Sequence, residues 1–313
     1  MIVLRNVNLT KTTPNFRSEV ARQLHLTIAN ASSFALVFSS RTEIADFALG
    51  ITCFADLEEF VLSGQFLVDD ADLANPLTLK NRRAVEQRVQ VISRELLSPF
   101  NQDLPLSKVF EFLLRQRGGN APFEIVDHLH FVQLDDSVLE LPISALSDFQ
   151  RVKVLILLAS MTQARFLIIE ELEVALDDAE LDVILQIVRQ YQIHSGASCL
   201  FLTTDIAWAL AECDAVGIMQ AGLLLESGSI AEVSRKAMHP MTLAMSRGEF
   251  PASFAPVGCP YAVSCKAKAR VSENLCATTL PISISITDTH MVRCHLSAEE
   301  RLAYANEVSH GTP

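Results

Sequence analysis

Between residues 144 and 216 two apolar segments, Arg165 to Ile169 and Ser198 to Thr203, alternate with helical patterns over Asp148 to Met161, Asp178 to Tyr191 and the stretch after Thr203. A strand that is apolar along its whole length has no face to offer water. Such strands, spaced by helices, predict a parallel sheet covered on both sides. The remaining sequence is arranged around that block. IVLRNVNL, LHLTIA and FALVF are short strand-like runs, and FVLSGQFLVDDADL reads as strand, turn and strand with Gly64 at the bend. A helix is expected over Glu43 to Phe54, and a helical insertion over about residues 94 to 145, with Leu104 to Arg115 and Phe123 to Phe131 as its helices and Gly118-Gly119 as a break. VGIMQAGLLLESG predicts a hairpin turning near Ala221-Gly222.

Composition narrows the possible functions. Lys and Arg total 25 against 37 Asp and Glu, a net charge of -12, so no broad basic face is available and nucleic acid is not an expected partner. Half of the 313 residues are hydrophobic and the mean hydropathy is +0.27. The longest apolar run, Val154 to Met161, is nevertheless far short of the ~18 to 20 residues that a membrane span needs. The N-terminal MIVLRNVNLTKTT lacks the pattern of a secretory signal, so a cytosolic chain is expected. After Met245 the composition shifts to Pro, Ser and Cys, which divides the chain into residues 1–245 and a tail of residues 246–313. Cys53, Cys199 and Cys213 are scattered in apolar segments and read as small core residues. Cys259, Cys265, Cys276 and Cys294 cluster in the tail with spacing C-x5-C-x10-C-x17-C. In a cytosolic chain that group suits tetrahedral Zn²⁺ or a [4Fe-4S] cluster, and free thiols are the alternative. His128 and His130 point to different faces of a helix and read as surface residues.

The sharpest motif is the strand Phe166-Leu167-Ile168-Ile169, which ends in Glu170-Glu171. One acid at a strand end can meet Mg²⁺ and the next can orient water. Before it lies Leu146-Ser147-Asp148-Phe149-Gln150-Arg151; after it come Ala175-Leu176-Asp177 and Phe201-Leu202-Thr203-Thr204-Asp205. In that order these resemble the signature loop, Walker B strand, D-loop and switch loop of ABC transporter ATP-binding subunits. Residues 221–228 (AGLLLESG) resemble the family's "AGRIVETG" hairpin. His239-Pro240-Met241-Thr242 and the cysteine tail resemble its oligopeptide, dipeptide and Sap-type (peptide/nickel) branch, with the Sap D subunits nearest in pattern. The resemblance spans about residues 1 to 295. It implies an α/β, P-loop NTPase-like nucleotide-binding domain with an antiparallel β subdomain, a helical subdomain and a small cysteine-containing C-terminal domain.

The departures from the family pattern all point one way. A phosphate loop needs glycines, a lysine and a Ser/Thr. Here the loop reads Phe38-Ser39-Ser40-Arg41-Thr42-Glu43, without glycine or lysine and about two residues short. Ser39, Ser40, Arg41 and Thr42 hold the cofactor positions, and Glu43 repels phosphate. Arg94 replaces the glutamine that links nucleotide to the membrane partner, Glu170 the Walker B aspartate, and Thr204 the switch histidine. Glu171 matches the catalytic base. Ser147 and Gln150 persist in the signature, with Asp148 and Phe149 in place of its glycines. ATP and Mg²⁺ are therefore expected to bind weakly or not at all, and the tail resemblance favours an iron-sulfur cluster over zinc. The expected role is a degenerate ATP-binding subunit in a peptide or polyamine transporter, at the cytoplasmic face of the inner membrane. Its partners would be an intact ATPase paralogue and two transmembrane permease subunits, coupled through Leu104, Leu106, Val109, Phe110, Phe112 and Leu113. An active ATPase using Arg41 and Thr42, and a free-standing metal-cluster or regulatory protein, are the alternatives.

Overall fold

The computed structural model describes residues 1–52, 59–69, 71–73, 88–98, 100–117, 125–251 and 253–310. Cys53, Gly118 and Gly119 lie outside them. Eight strands form the larger sheet in the order β11-β12-β10-β9-β3-β8-β7-β6. Its centre is β3 (Ser33–Val37), flanked by β8 (Ser198–Thr203) and β9 (Ala215–Gln220). Next to β8 lie β7 (Phe166–Glu170) and β6 (Val89–Ile92). From β9 to β6 neighbouring strands run parallel. The remaining strands of this sheet, β10 (Leu223–Ser229), β11 (Ser283–Ser285) and β12 (Met291–Arg293), pair antiparallel.

The apolar runs place alternate side chains in two cores. Ala35, Val37, Leu167, Ile169, Cys199 and Phe201 enter one core; Phe34, Leu36, Phe166, Ile168, Leu200 and Leu202 enter the other. Each fully buried Leu, Ile or Phe contributes about 1.5 to 3 kcal/mol relative to exposure. The first core is covered by α4 (Asp148–Thr162) and α6 (Asp178–Ser195). Ser147 and Gln150 form a capping box on α4, Asp177 and Glu180 one on α6, and Gly196 ends α6 at φ +68°. The second core lies beneath α1 (Arg41–Thr52) and a four-stranded antiparallel sheet in the order β2-β1-β4-β5. Its strands are β1 (Ile2–Thr13), β2 (Phe16–Ile28), β4 (Phe60–Val68) and β5 (Ala71–Asp72).

Gly64 is not at a turn. It lies inside β4 at φ +99°, where the register with β1 slips between Arg5 and Asn8, and a Cβ there would come within 2.3 Å of the Asn6 carbonyl oxygen. It is a bulge glycine, and the chain turns later, after Val68. The insertion carries α2 (Leu106–Arg117) and α3 (Ile125–Phe131); Phe123, where the second helix was expected to begin, lies outside the described residues. Leu106, Val109 and Phe110 are core, whereas Leu104 and Phe112 are exposed. His128 is half-buried and hydrogen-bonded to Ser160 at 2.8 Å, so of the pair His130 alone is a surface residue.

Past α8 (Ile230–Lys236) and α9 (Pro240–Met245), Cys259, Tyr261, Ala262 and Cys276 join the main core, and β11 and β12 extend the larger sheet. No helix among the described residues is long and apolar enough to cross a membrane.

Candidate functional site

Parallel sheets place ligands beyond the carboxyl ends of their strands. At that edge the ends of β3, β7 and β8 bring together the loop 38–43, the acids 170–173 and residues 203–205. The Phe38 N–H donates to the Thr203 carbonyl at 2.9 Å, and the Glu171 N–H to that of Leu202 at 2.9 Å, so adjoining strands pin both corners. The sequence motifs of the three strands therefore meet in space.

The loop after β3 does not cradle a phosphate. Only Phe38, Ser39 and Ser40 separate β3 from α1, and none of residues 38 to 42 has a positive φ. Phe38 turns inward, 1% exposed, with its ring 5.6 Å from that of Phe47 on α1. Burying this aromatic shortens the path into the helix and leaves no arch of backbone N–H groups. Glu43 holds what remains. Its Oε2 accepts the Ser39 hydroxyl at 2.7 Å and that of Ser40 at 3.5 Å, while Oε1 accepts the Ala221 N–H at 3.1 Å. The Glu43 N–H donates back to the Ser40 hydroxyl at 3.4 Å. Ser40-x-x-Glu43 is the sequence signal of a helix cap, which the motif reading passed over.

Arg41, the cation nearest the loop, is also engaged. Its Nε lies 3.0 Å from Glu171 Oε1, an oxygen that accepts no hydrogen bond, so the contact is one of charge. Glu171 stands at φ 42° as the residue before α5 (Leu172–Ala175). That conformation costs a non-glycine residue about 1 to 3 kcal/mol, and such strain gathers at functional sites. Glu170 is half-buried at the end of β7.

Sequence reasoning missed Glu173, two residues beyond the acid pair. Burial pushes its carboxyl above the usual range, with Glu171 and Asp205 pushing the same way against a hydrogen bond from the Thr203 hydroxyl. Three carboxylates therefore crowd the strand ends. Thr204 sits half-buried between β8 and α7 (Ile206–Glu212), whose N-terminus Asp205 caps through the N–H groups of Ala207 and Trp208 at 2.8 and 3.0 Å.

The signature positions are occupied locally. Ser147 Oγ accepts the Gln150 N–H at 3.2 Å and Gln150 Oε1 accepts the Ser147 N–H at 3.0 Å, so both side chains serve as a helix cap. Phe149 lies under the Lys153 ammonium, 4.2 Å from the ring centroid. Arg94 opens a single 3-10 turn after β6, and its side chain lies outside the described residues.

ATP with Mg²⁺ does not fit this loop as it stands. The Ser39 and Ser40 hydroxyls and the Arg41 charge already have partners, and a carboxylate occupies the position where phosphate would need donors. Space is available nonetheless: a cavity of about 910 Å³ opens beside Ser39, Ser40, Thr42 and Glu43, walled by Phe16 and Phe254.

In the tail, burial raises the thiols of Cys259, Cys265, Cys276 and Cys294, and the neighbouring cysteines push those of Cys259, Cys265 and Cys294 further the same way. Cys259 is pushed up to about 12 and Cys294 to about 11. The donor chemistry suits a thiolate metal. The placement does not, since among the described residues no three His, Cys, Asp or Glu side chains are set to hold one ion.

Comparison with known proteins agrees with the strand-end geometry. No family model matches the chain. A peptide import ATP-binding protein of Brucella ovis is 23% identical over 254 residues, covering 74% of this chain and 78% of that protein. The D,D-dipeptide transport ATP-binding protein DdpD of Escherichia coli K12 is 26% identical, covering 69% and 73%. The nickel import ATP-binding protein NikE of Escherichia coli O157:H7 is 25% identical, covering 50% and 60%. Among solved structures, a dimeric ATP-binding cassette bound to ADP and Pi superimposes with a TM-score of 0.61 at 16% identity, covering 74% of this chain and 99% of its own. Structure cbiO1 from Clostridium perfringens, part of an ABC transporter complex, gives 0.60 at 15% identity, covering 79% and 96%. The chain has the ABC nucleotide-binding cassette fold and is a homologue of the ATP-binding subunits of peptide-, dipeptide- and nickel-type importers.

Proposed function

We propose that this chain is a non-hydrolysing nucleotide-binding-type subunit of a peptide/nickel-type ABC importer. It serves as a scaffold for an intact ATPase paralogue and two transmembrane permease subunits at the cytoplasmic face of the inner membrane. Peptides or polyamines are its cargo class. The observation that carries this reading is the double engagement at the strand ends: Glu43 takes the loop's hydroxyls and Arg41 takes Glu171. A catalytic base without a bound triphosphate has no proton to accept from an attacking water.

Coupling would run through the insertion, where Leu106, Val109 and Phe110 fix α2 in the core and leave Leu104 and Phe112 exposed to receive a membrane-subunit helix. The residues after 245 are assigned to a regulatory tail. An iron-sulfur cluster there, or Zn²⁺, rests on donor chemistry and the family resemblance alone. The second reading, an ATPase using Arg41 and Thr42, is favoured only by the room beside the loop.

Co-expression with the permeases and the ATPase paralogue tests the scaffold role. The chain should co-purify with them, and mutating the paralogue's own catalytic base should abolish hydrolysis by the complex while Glu171→Gln here leaves it unchanged. Recovery of the chain alone would count against the proposal, as would loss of hydrolysis on Glu171→Gln.

A further inference from the structure

We infer that Glu43 is a built-in anion, seated where a ligand's phosphate would sit, and that this one side chain sets the site's selectivity against polyphosphates. The inference rests on the reading above and names the residue responsible. Helix α1 begins at Arg41 and runs for 12 residues, and the exposed N–H groups and dipole of a helix start favour negative charge. A plain capping box needs only that the Ser40 hydroxyl take the Glu43 N–H and that the carboxylate return to the backbone N–H of the cap residue. The carboxylate does something else.

One Glu43 oxygen takes the hydroxyls of Ser39 and Ser40; the other takes the Ala221 N–H, from a turn 178 residues away in sequence. Ala221 at φ 47° and Gly222 at φ 77° are consecutive left-handed residues. Two hydroxyl donors and an amide from separate elements, converging on one anion, are what a phosphate oxygen site supplies. Among the described residues Glu43 has no ion-pair partner, because Arg41 pairs with Glu171. An arriving phosphate would meet a fixed negative charge and donors already in use. The adjoining cavity of about 910 Å³, which Arg17 and Arg22 also line, leaves room for a ligand beside Glu43.

The test is chemical rescue with inorganic pyrophosphate, compared with chloride at matched ionic strength. The proteins are the full chain, Glu43→Ala, Glu43→Gln, and, as a control, Asp182→Ala at an exposed position of α6. Removing the anion from the helix start should lower the melting midpoint of Glu43→Ala by about 2 to 3 °C. Millimolar pyrophosphate should restore that loss and leave the unaltered chain and Asp182→Ala unmoved. In equilibrium dialysis both Glu43 variants should bind pyrophosphate at least about tenfold more tightly than the unaltered chain, a tenfold change being ordinary for removal of one like charge. If Glu43→Ala does not fold, Glu43→Gln carries the dialysis test.

Equal response of all four proteins to pyrophosphate, or no gain in either Glu43 variant, would overturn the assignment. ATP is titrated in parallel to separate the two claims. Micromolar ATP binding with turnover by the unaltered chain would defeat the non-hydrolysing reading. No ATP binding there, together with no pyrophosphate gain in the variants, would leave that reading intact and defeat the Glu43 assignment.

Discussion

Glu43 and Glu226 both close on the β9–β10 hairpin, the first at its turn through the Ala221 N–H and the second from within β10. Their surroundings differ. Glu226 is fully buried and accepts the N–H groups of Met238 and His239 at 2.7 and 3.0 Å and His290 Nε2 at 2.8 Å. Those donors tie the start of α9 and the tail strand β12 to the hairpin. Glu43 stands beside an open cavity and gathers donors of the kind a ligand could replace. One carboxylate is a rivet, deep in the structure and out of reach of solvent. The other holds a site closed from its rim. What separates them is the cost of removal: a buried group leaves stranded donors, whereas at a rim water takes its place.

That difference predicts a ladder of effects. Glu226→Ala strands two backbone N–H groups and a histidine in a dry interior, and should cost about 3 to 5 kcal/mol in urea denaturation. A loss below 1 kcal/mol would show that water reaches the junction and would erase the contrast.

The same junction should be acid-sensitive through His239, whose Nδ1 accepts the Met241 N–H at 3.0 Å and is therefore neutral. Burial pushes His239 down to about 4, against the pull of Glu226. Because the unfolded chain takes up this proton near the usual ~6.5 and the folded chain only near 4, stability is present above 6.5 and is lost as pH falls from there toward 4. His239 accounts for about 3 kcal/mol of that loss. His239→Asn keeps a cap acceptor and should flatten the stability profile across the window; an unchanged profile would place the acid sensitivity elsewhere.

Gly222 comes next in size. It holds φ 77°, and a Cβ there would lie 2.5 Å from the Glu19 carbonyl oxygen. Gly222→Ala should cost about 1 to 2 kcal/mol. It should also displace Ala221, weakening the grip on Glu43. Glu43→Ala itself should cost only about 1 kcal/mol, as the loss of a helix cap at a wet rim. If Glu43→Ala proved as damaging as Glu226→Ala, both carboxylates would be rivets and the rim would have no ligand-like character.

The central sheet was legible because its strands are apolar on both faces, and the helix starts at Ser147 and Asp177 because their caps follow the S/D-x-x-Q/E pattern. Gly64 was not, since an isolated glycine among strand residues serves a turn and a bulge equally well until its partner strand is known. At the site, the missing glycines and lysine of the loop were plain. The same residues examined as Ser40-x-x-Glu43 hold a cap that a search for phosphate chemistry passes over. The pairing of Glu226 with His290 spans 64 residues and depends on β12 joining β10, a tertiary choice that no local pattern encodes. Glu173 was hidden for a related reason: its elevated carboxyl follows from burial against Thr203, which only packing reveals.

In the proposed reading, Glu43 and Arg41 close the nucleotide site of an ABC cassette. Equilibrium titration of the full, unaltered chain with a fluorescent ATP analogue at millimolar Mg²⁺ tests it most directly. No saturable binding is expected up to millimolar nucleotide; saturation at micromolar concentration, displaced by unlabelled ATP, would show the site open.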